Sequence, residues 1–117
     1  MRYALLIIEP RGQREARTSA EGEAAYASMV AFAEGLQTRG KLLAVESLTA
    51  DRAGTRVAVR GGKPQVVDGP FAEAKEMIGG FFLLDVESRD EALAIAADCP
   101  AAAWATVEVR EAGPCFL

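Results

Sequence analysis

Asp68-Gly69-Pro70-Phe71-Ala72-Glu73-Ala74-Lys75-Glu76, followed by Gly79-Gly80 and the apolar run Phe81–Val86, decides how this chain is read. Asp-Gly-Pro is a turn former and ends whatever element precedes it. Phe71 to Ile78 then reads as one or two helical turns, with Phe71, Lys75 and Ile78 on one stripe at i, i+4 and i+7. The glycine pair stops those turns, and Phe81–Val86 reads as a buried strand.

Upstream, Thr55–Arg60 and Gln65–Val67 flank Gly61-Gly62-Lys63-Pro64 as the arms of a β-hairpin. Val57 and Val59 share one face, and Arg56, Ala58 and Arg60 take the other. The glycines are turn residues, because the phosphate-loop spacing fails at Val57 and Pro64 follows the lysine. Leu42–Leu48 reads as a strand. Before it, Thr18 with Glu21 forms a capping box that opens a helix to about Arg39, closed by Gly40. Tyr26, Met29, Ala33 and Leu36 make its apolar stripe. Residues 11–18 read as a loop, and Tyr3–Glu9 as a central strand whose apolar residues run without alternation.

Downstream, Ser88 and Glu91 open a helix through Ala97 that Pro100 terminates. In Thr106–Arg110, Val107 and Val109 alternate with Glu108 and Arg110. The order is β-α-β, hairpin, short helix, β-α-β, in one domain spanning 1–117. It predicts an α+β fold: a ferredoxin-like antiparallel sheet with helices on one face, plus the inserted hairpin and short helix. The uncovered sheet face is most economically closed by a second copy, which predicts a homodimer.

Composition narrows the chemistry. The chain has 117 residues, 50% hydrophobic and 26% charged, with a net charge of −4. That acidity argues against nucleic acid and anionic membranes as partners. Gly80-Phe81-Phe82-Leu83-Leu84 only superficially matches an RNA-recognition strand. With no histidine, His-based triads and His-rich zinc sites are excluded. Cys99 and Cys115 match no C-x-x-C spacing and read as free thiols. No pattern calls for a cofactor or a metal. The apolar run at the N-terminus is too short for a secretory signal, so a cytoplasmic setting is expected.

The motif, the start Met1-Arg2-Tyr3-Ala4-Leu5-Leu6-Ile7, Cys99-Pro100 and Val107-Glu108-Val109-Arg110 together resemble the YCII-related family, in particular its D-G-P-F branch, over roughly residues 1–111. The resemblance implies a dimeric α+β barrel, two sheets packed face to face, with a small cleft beside the motif. The wider superfamily is similar to lactone isomerases, haem-degrading and antibiotic monooxygenases, and dehydrohalogenase-like lyases, so the fold transfers and the activity does not. Ala74 stands where the branch has Thr or Ser, Ala105 where Gly is common, and Glu111 where Pro is usual. Some relatives resemble users of a His–Asp pair, which a chain without histidine cannot form.

Asp68 is the first candidate for proton transfer, at a loop that delivers side chains to a cleft; equally, it is a favoured turn and capping residue. Phe71, Glu73, Lys75, Glu76, Trp104 and Arg110 are the candidate ligand-binding residues. Lys75 or Arg110 would hold an anionic end, and Phe71 and Trp104 would line an apolar wall. Glu46-Ser47 on the second strand could face the same cleft. Two functions follow: binding of a small, partly apolar, anionic molecule, or a lyase- or isomerase-type reaction on a carbonyl, lactone or phenolic substrate with Asp68 moving the proton.

Overall fold

The computed structural model describes residues 1–117. The chain forms β1 (Arg2–Pro10), a single turn α1 (Gln13–Ala16), the long helix α2 (Ser19–Thr38), β2 (Leu42–Ser47), β3 (Thr55–Arg60), β4 (Lys63–Asp68), β5 (Glu76–Asp85), α3 (Arg89–Asp98) and β6 (Thr106–Glu111). Short 3-10 turns cover Asp51–Ala53 and Pro100–Ala103.

Four strands make the main sheet in the order β2-β5-β1-β6, all neighbours antiparallel, which is the ferredoxin-like order; β3 and β4 form a separate ribbon. Each β-α-β half thus crosses over a strand of the other half, and β1 takes the centre.

Parity along β1 divides the sheet. Tyr3, Leu5 and Ile7 are buried on the helix side, together with Phe82 and Leu84 of β5 and Val86 just beyond its end. Ala4, Leu6 and Ile8 point to the other face beside Leu83 and Phe81, all half-buried. The apolar run without alternation at Tyr3–Ile8 therefore does mark a strand with two apolar faces. On the helix side, Ala92 and Ala96 let α3 lie close to the sheet, and Leu36 anchors α2. Phe32 of α2 meets Phe82 edge-on, ring centroids 5.6 Å apart.

The helix ends follow the sequence. Thr18 Oγ1 accepts from the Glu21 amide, and the Glu21 carboxylate accepts from the Thr18 amide, so two otherwise free donors are satisfied. Gly40 closes α2 at φ 70°, a left-handed position that favours glycine. Ser88 caps α3. Of the expected stripe, Met29, Ala33 and Leu36 face the core, joined by Phe32, while Tyr26 stays exposed.

The short helix expected over Phe71–Ile78 is not formed. Residues 71–75 turn, and β5 begins at Glu76 opposite Pro10 of β1. Helix propensity in Ala72–Glu76 is worth tenths of a kcal/mol per residue, and pairing along the length of β1 outweighs it. Gly79-Gly80 accordingly lies inside a strand rather than at a helix end. The short turn of helix sits instead in residues 11–18, which read as a loop.

Candidate functional site beneath the long helix

Glu9 follows Tyr3, Leu5 and Ile7 on the helix-side parity of β1, so the strand delivers its carboxylate to the core side at the sheet's end. It is only 4% exposed. An unpaired carboxylate there would be costly. Arg14, presented by α1 five residues later, pairs with it through two bonds, Nε to Oε2 at 2.9 Å and Nη2 to Oε1 at 2.6 Å. The same guanidinium donates to the carbonyls of Leu48 (2.8 Å) and Gly79 (3.4 Å), tying the end of β2 and the start of β5 to this corner. The hydrogen bond to Glu9 raises the Arg14 pKa above its ordinary value, against desolvation.

The glycine pair makes room for this arrangement. A Cβ on Gly79 would sit 1.6 Å from Glu9 Oε1, and one on Gly80 would sit 2.8 Å from the Glu46 carbonyl. The β1–β5 register shifts between Ile7 and Ile8, at the level of Gly79, so the strand bulges where the carboxylate enters.

Small residues on both walls then leave a cavity of about 670 Å³ between α2 and the sheet. Its floor is Ile7, Phe82, Gly79 and Gly80, and its roof is Gly22, Ala25, Met29 and Ala33 of α2. Tyr26, Val30 and Val45 stand exposed at the mouth. Glu9, Arg14 and Arg17 occupy one end. There the Arg17 guanidinium lies 4.5 Å over the Trp104 ring, and Gln13 Nε2 donates to the Trp104 carbonyl at 2.6 Å. Arg14 is neutralised by Glu9. Arg17 takes part in no ion pair, so it is the cation open to an incoming group. The cavity thus offers an apolar body and one cationic, aromatic-backed end.

Of the residues expected from sequence, Trp104 lines this cavity, as do Glu46 and Ser47. The others lie elsewhere. Asp68 is exposed at the end of β4, where Oδ1 accepts from Thr55 Oγ1 at 2.9 Å. Phe71 is half-buried with the Arg56 guanidinium 3.8 Å from its ring centroid. Glu73, Lys75 and Glu76 are exposed and enter no ion pair. Arg110 is exposed on the sheet face opposite the cavity, 3.8 Å from Glu108.

The motif instead fastens the ribbon to the body. The Gly69 amide donates to the Gly54 carbonyl at 2.8 Å, and the Arg11 amide donates to the Lys75 carbonyl at 3.0 Å. Arg11 pairs with Asp51, beside which Gly69 is packed. Sequence reasoning missed Glu9, Arg14 and Arg17. The available signal was Glu9 itself, a lone acid on the buried parity of a strand, which demands a cation nearby.

Comparisons with known proteins agree with this architecture. The family model for the YCII-related domain matches residues 1–114. An uncharacterized protein from Rhizobium meliloti (strain 1021) is 36% identical over 98 residues, 84% of this chain and 79% of that one. Among solved structures, 5-chloro-2-hydroxyhydroquinone dehydrochlorinase from Burkholderia phenoliruptrix AC1100, in complex with 2,5-dihydroxybenzoquinone, superposes with a TM-score of 0.58. It shares 18% identity, covering 97% of this chain and 94% of that chain.

Proposed function

This chain belongs to the YCII-related family, and from that premise we propose that it binds a small, partly apolar, anionic molecule in the cavity beneath α2. On the motif's residues alone, our reading assigns it to the D-G-P-F branch. The observation that carries the binding function is Arg17, an unpaired cation stacked on Trp104 at the end of a cavity of mixed lining whose floor and roof carry Ile7, Phe82, Met29 and Ala33. A carboxylate or ionised hydroxyl would meet Arg17, and the apolar body would lie along Phe82 and Met29.

The reading includes a homodimer. Ala4, Leu6, Ile8, Phe81 and Leu83 form an apolar sheet face with no helix on it, and a second copy would bury it. A cytoplasmic setting is part of the same reading, with both cysteines free. No helix is long and apolar enough to cross a membrane.

Trp104 is the single tryptophan, so its fluorescence tests the proposal directly. Cyclohexanecarboxylate should change the emission saturably and bind about 5-fold tighter than cyclohexylmethanol, the worth of one partly exposed charge pair. Arg17→Met should remove that difference. Equal affinity for acid and alcohol in the unsubstituted protein would overturn the assignment of Arg17.

The second reading is a lyase or isomerase, favoured by the similar fold of a dehydrochlorinase. Asp68 would then have to reach its substrate from outside the cavity. Chloride release from a chlorinated hydroquinone that survives Asp68→Asn would remove Asp68 from that role.

A further inference from the structure

On the helix-covered face of the sheet, one strand is left open. Leu42 and Val45 of β2 pair with Leu84 and Phe82, both buried on the helix side, so all four belong to that face. Yet every residue of β2 except Leu42 is exposed. The reason lies in how α2 is turned. Met29, Phe32, Ala33 and Leu36 aim it at the core, and its cavity-lining positions include Gly22 and Ala25, too small to span the gap to β2. A groove remains between the helix and the edge strand, with Tyr26, Val30 and Val45 exposed along it.

The groove is long and narrow. Its lining runs along α2 from Thr18 to Gln37, about 28 Å at the helical rise, and along β2 from Leu42 to Ser47, about 17 Å at the strand rise. About 670 Å³ spread over such a length gives a mean section of roughly 24–40 Å². One polymethylene chain, with its neighbours about 4 Å away on every side, fills roughly 20 Å². Polarity is arranged end to end. Arg17, which enters no ion pair, stands over Trp104 at one end. Met29, Val30, Ala33, Val45 and Phe82 line the middle, and Glu34 and Gln37 are exposed at the other end.

We propose that the ligand of this site is a long-chain carboxylate, an unbranched fatty acid with its head on Arg17 and its chain laid between α2 and β2. This rests on the binding function proposed above and names its ligand class. The carboxylate takes the free donors of the guanidinium. The chain covers Val30 and Val45, which the fold leaves to water. At about 1.25 Å of advance per carbon, a chain of about twelve carbons extends about 14 Å and stays within the length of β2. Charge sets the direction, because Glu34 on the far rim repels a carboxylate placed there. A compact body with the same number of carbons would touch only one stretch of the groove.

Isothermal titration with two acids of equal carbon number tests this: dodecanoate, which is linear, and adamantaneacetate, which is compact, both kept below micelle-forming concentrations. Dodecanoate should bind once per chain and at least ~10-fold tighter, because the extended chain buries more methylenes along the two walls. Equal or tighter binding of adamantaneacetate overturns the long-chain ligand and leaves the anion-binding function standing; no binding of either acid overturns both. Val45→Asn distinguishes the groove from the bare face on the other side of the sheet. Val45 is exposed on an edge strand, so the fold survives the change. Dodecanoate should bind that variant about 5-fold more weakly, and an unchanged affinity places the chain outside the groove and overturns the proposal.

Discussion

Oε1 of Glu9 fills the space that a Cβ on residue 79 would occupy, 1.6 Å from it. The glycine is what allows a carboxylate to enter the sheet's end. Gly79→Ala must displace either the buried ion pair or the β1–β5 ladder. It should cost about 2–3 kcal/mol, a fall in Tm of roughly 10 °C. Gly35→Ala, on an exposed helical position with nothing within 4 Å of the new Cβ, should instead stabilise by about 0.5–1 kcal/mol. Thermal unfolding of the two variants beside the parent decides this, and equal shifts would contradict it.

Removing one partner of the Glu9–Arg14 pair leaves the other buried and uncompensated. Arg14→Leu should destabilise by about 3–5 kcal/mol. Adding Glu9→Gln to that variant should recover part of the loss, because the stranded charge is gone. Urea unfolding of the single and double variants measures the difference. A double variant weaker than Arg14→Leu alone would show that packing, rather than charge, dominates this corner.

Within the motif, the acid and the glycine have opposite structural weight. Asp68→Asn keeps an acceptor for the Thr55 hydroxyl at an exposed site, so stability should change by no more than about 0.5 kcal/mol. At Gly69 a Cβ would lie 1.9 Å from the Asp51 carbonyl oxygen. Gly69→Ala should therefore loosen the loop at Asp51–Ala53, seen as faster amide exchange of Ala53 and Gly54, whose amides bond within that turn.

Two carboxyl groups link stability to acid. Glu21 is held below the usual carboxylate range by hydrogen bonds from Thr18, the backbone amide first, and Glu91 by its bond with Lys41 and then by the Glu87 amide. A carboxyl whose pKa is lower in the folded state favours folding above its unfolded value near 4.5, and that benefit is lost as pH falls through the folded value. Tm should be flat from pH 7 to about 5 and decline below it. Glu21→Gln and Glu91→Gln should each lower Tm at pH 7 and flatten the acid decline. Salt should weaken the Glu91 contribution, since the Lys41 pair is exposed to screening.

How much was legible in the sequence depends on whether the signal was local. The Thr18–Glu21 box, the Ser88 cap and Gly40 are decided within four residues of chain, and all three stand as read. The hairpin stands where it was read, but its turn is two residues rather than four: Gly61 and Gly62, both at positive φ, close it, and Lys63 and Pro64 already pair with Arg60 and Val59. The helix expected over 71–78 failed because its evidence was local propensity, whereas β5 is decided by β1, some seventy residues away in sequence. The candidate residues around the motif were chosen for their density along the chain. Folding spread them over the ribbon, the loop and the far face of the sheet, and the candidates that came to the cavity, Trp104, Glu46 and Ser47, lie away from the motif in sequence.

By itself, then, the sequence determined the two long helices, the hairpin and the main strands in their order, though neither the turn of helix at Gln13–Ala16 nor the strand start at Glu76: caps, turn glycines and apolar parity act over a few residues, and their energies do not depend on what lies across the molecule. The antiparallel pairing of β1 with β5, the meeting of Glu9, Arg14 and Gly79, and the approach of Arg17 to Trp104 were decided only in the tertiary structure. A buried carboxylate reveals its role only when the strand carrying it is paired, because burial, the partner cation and the glycine that makes room for it come from three separate segments.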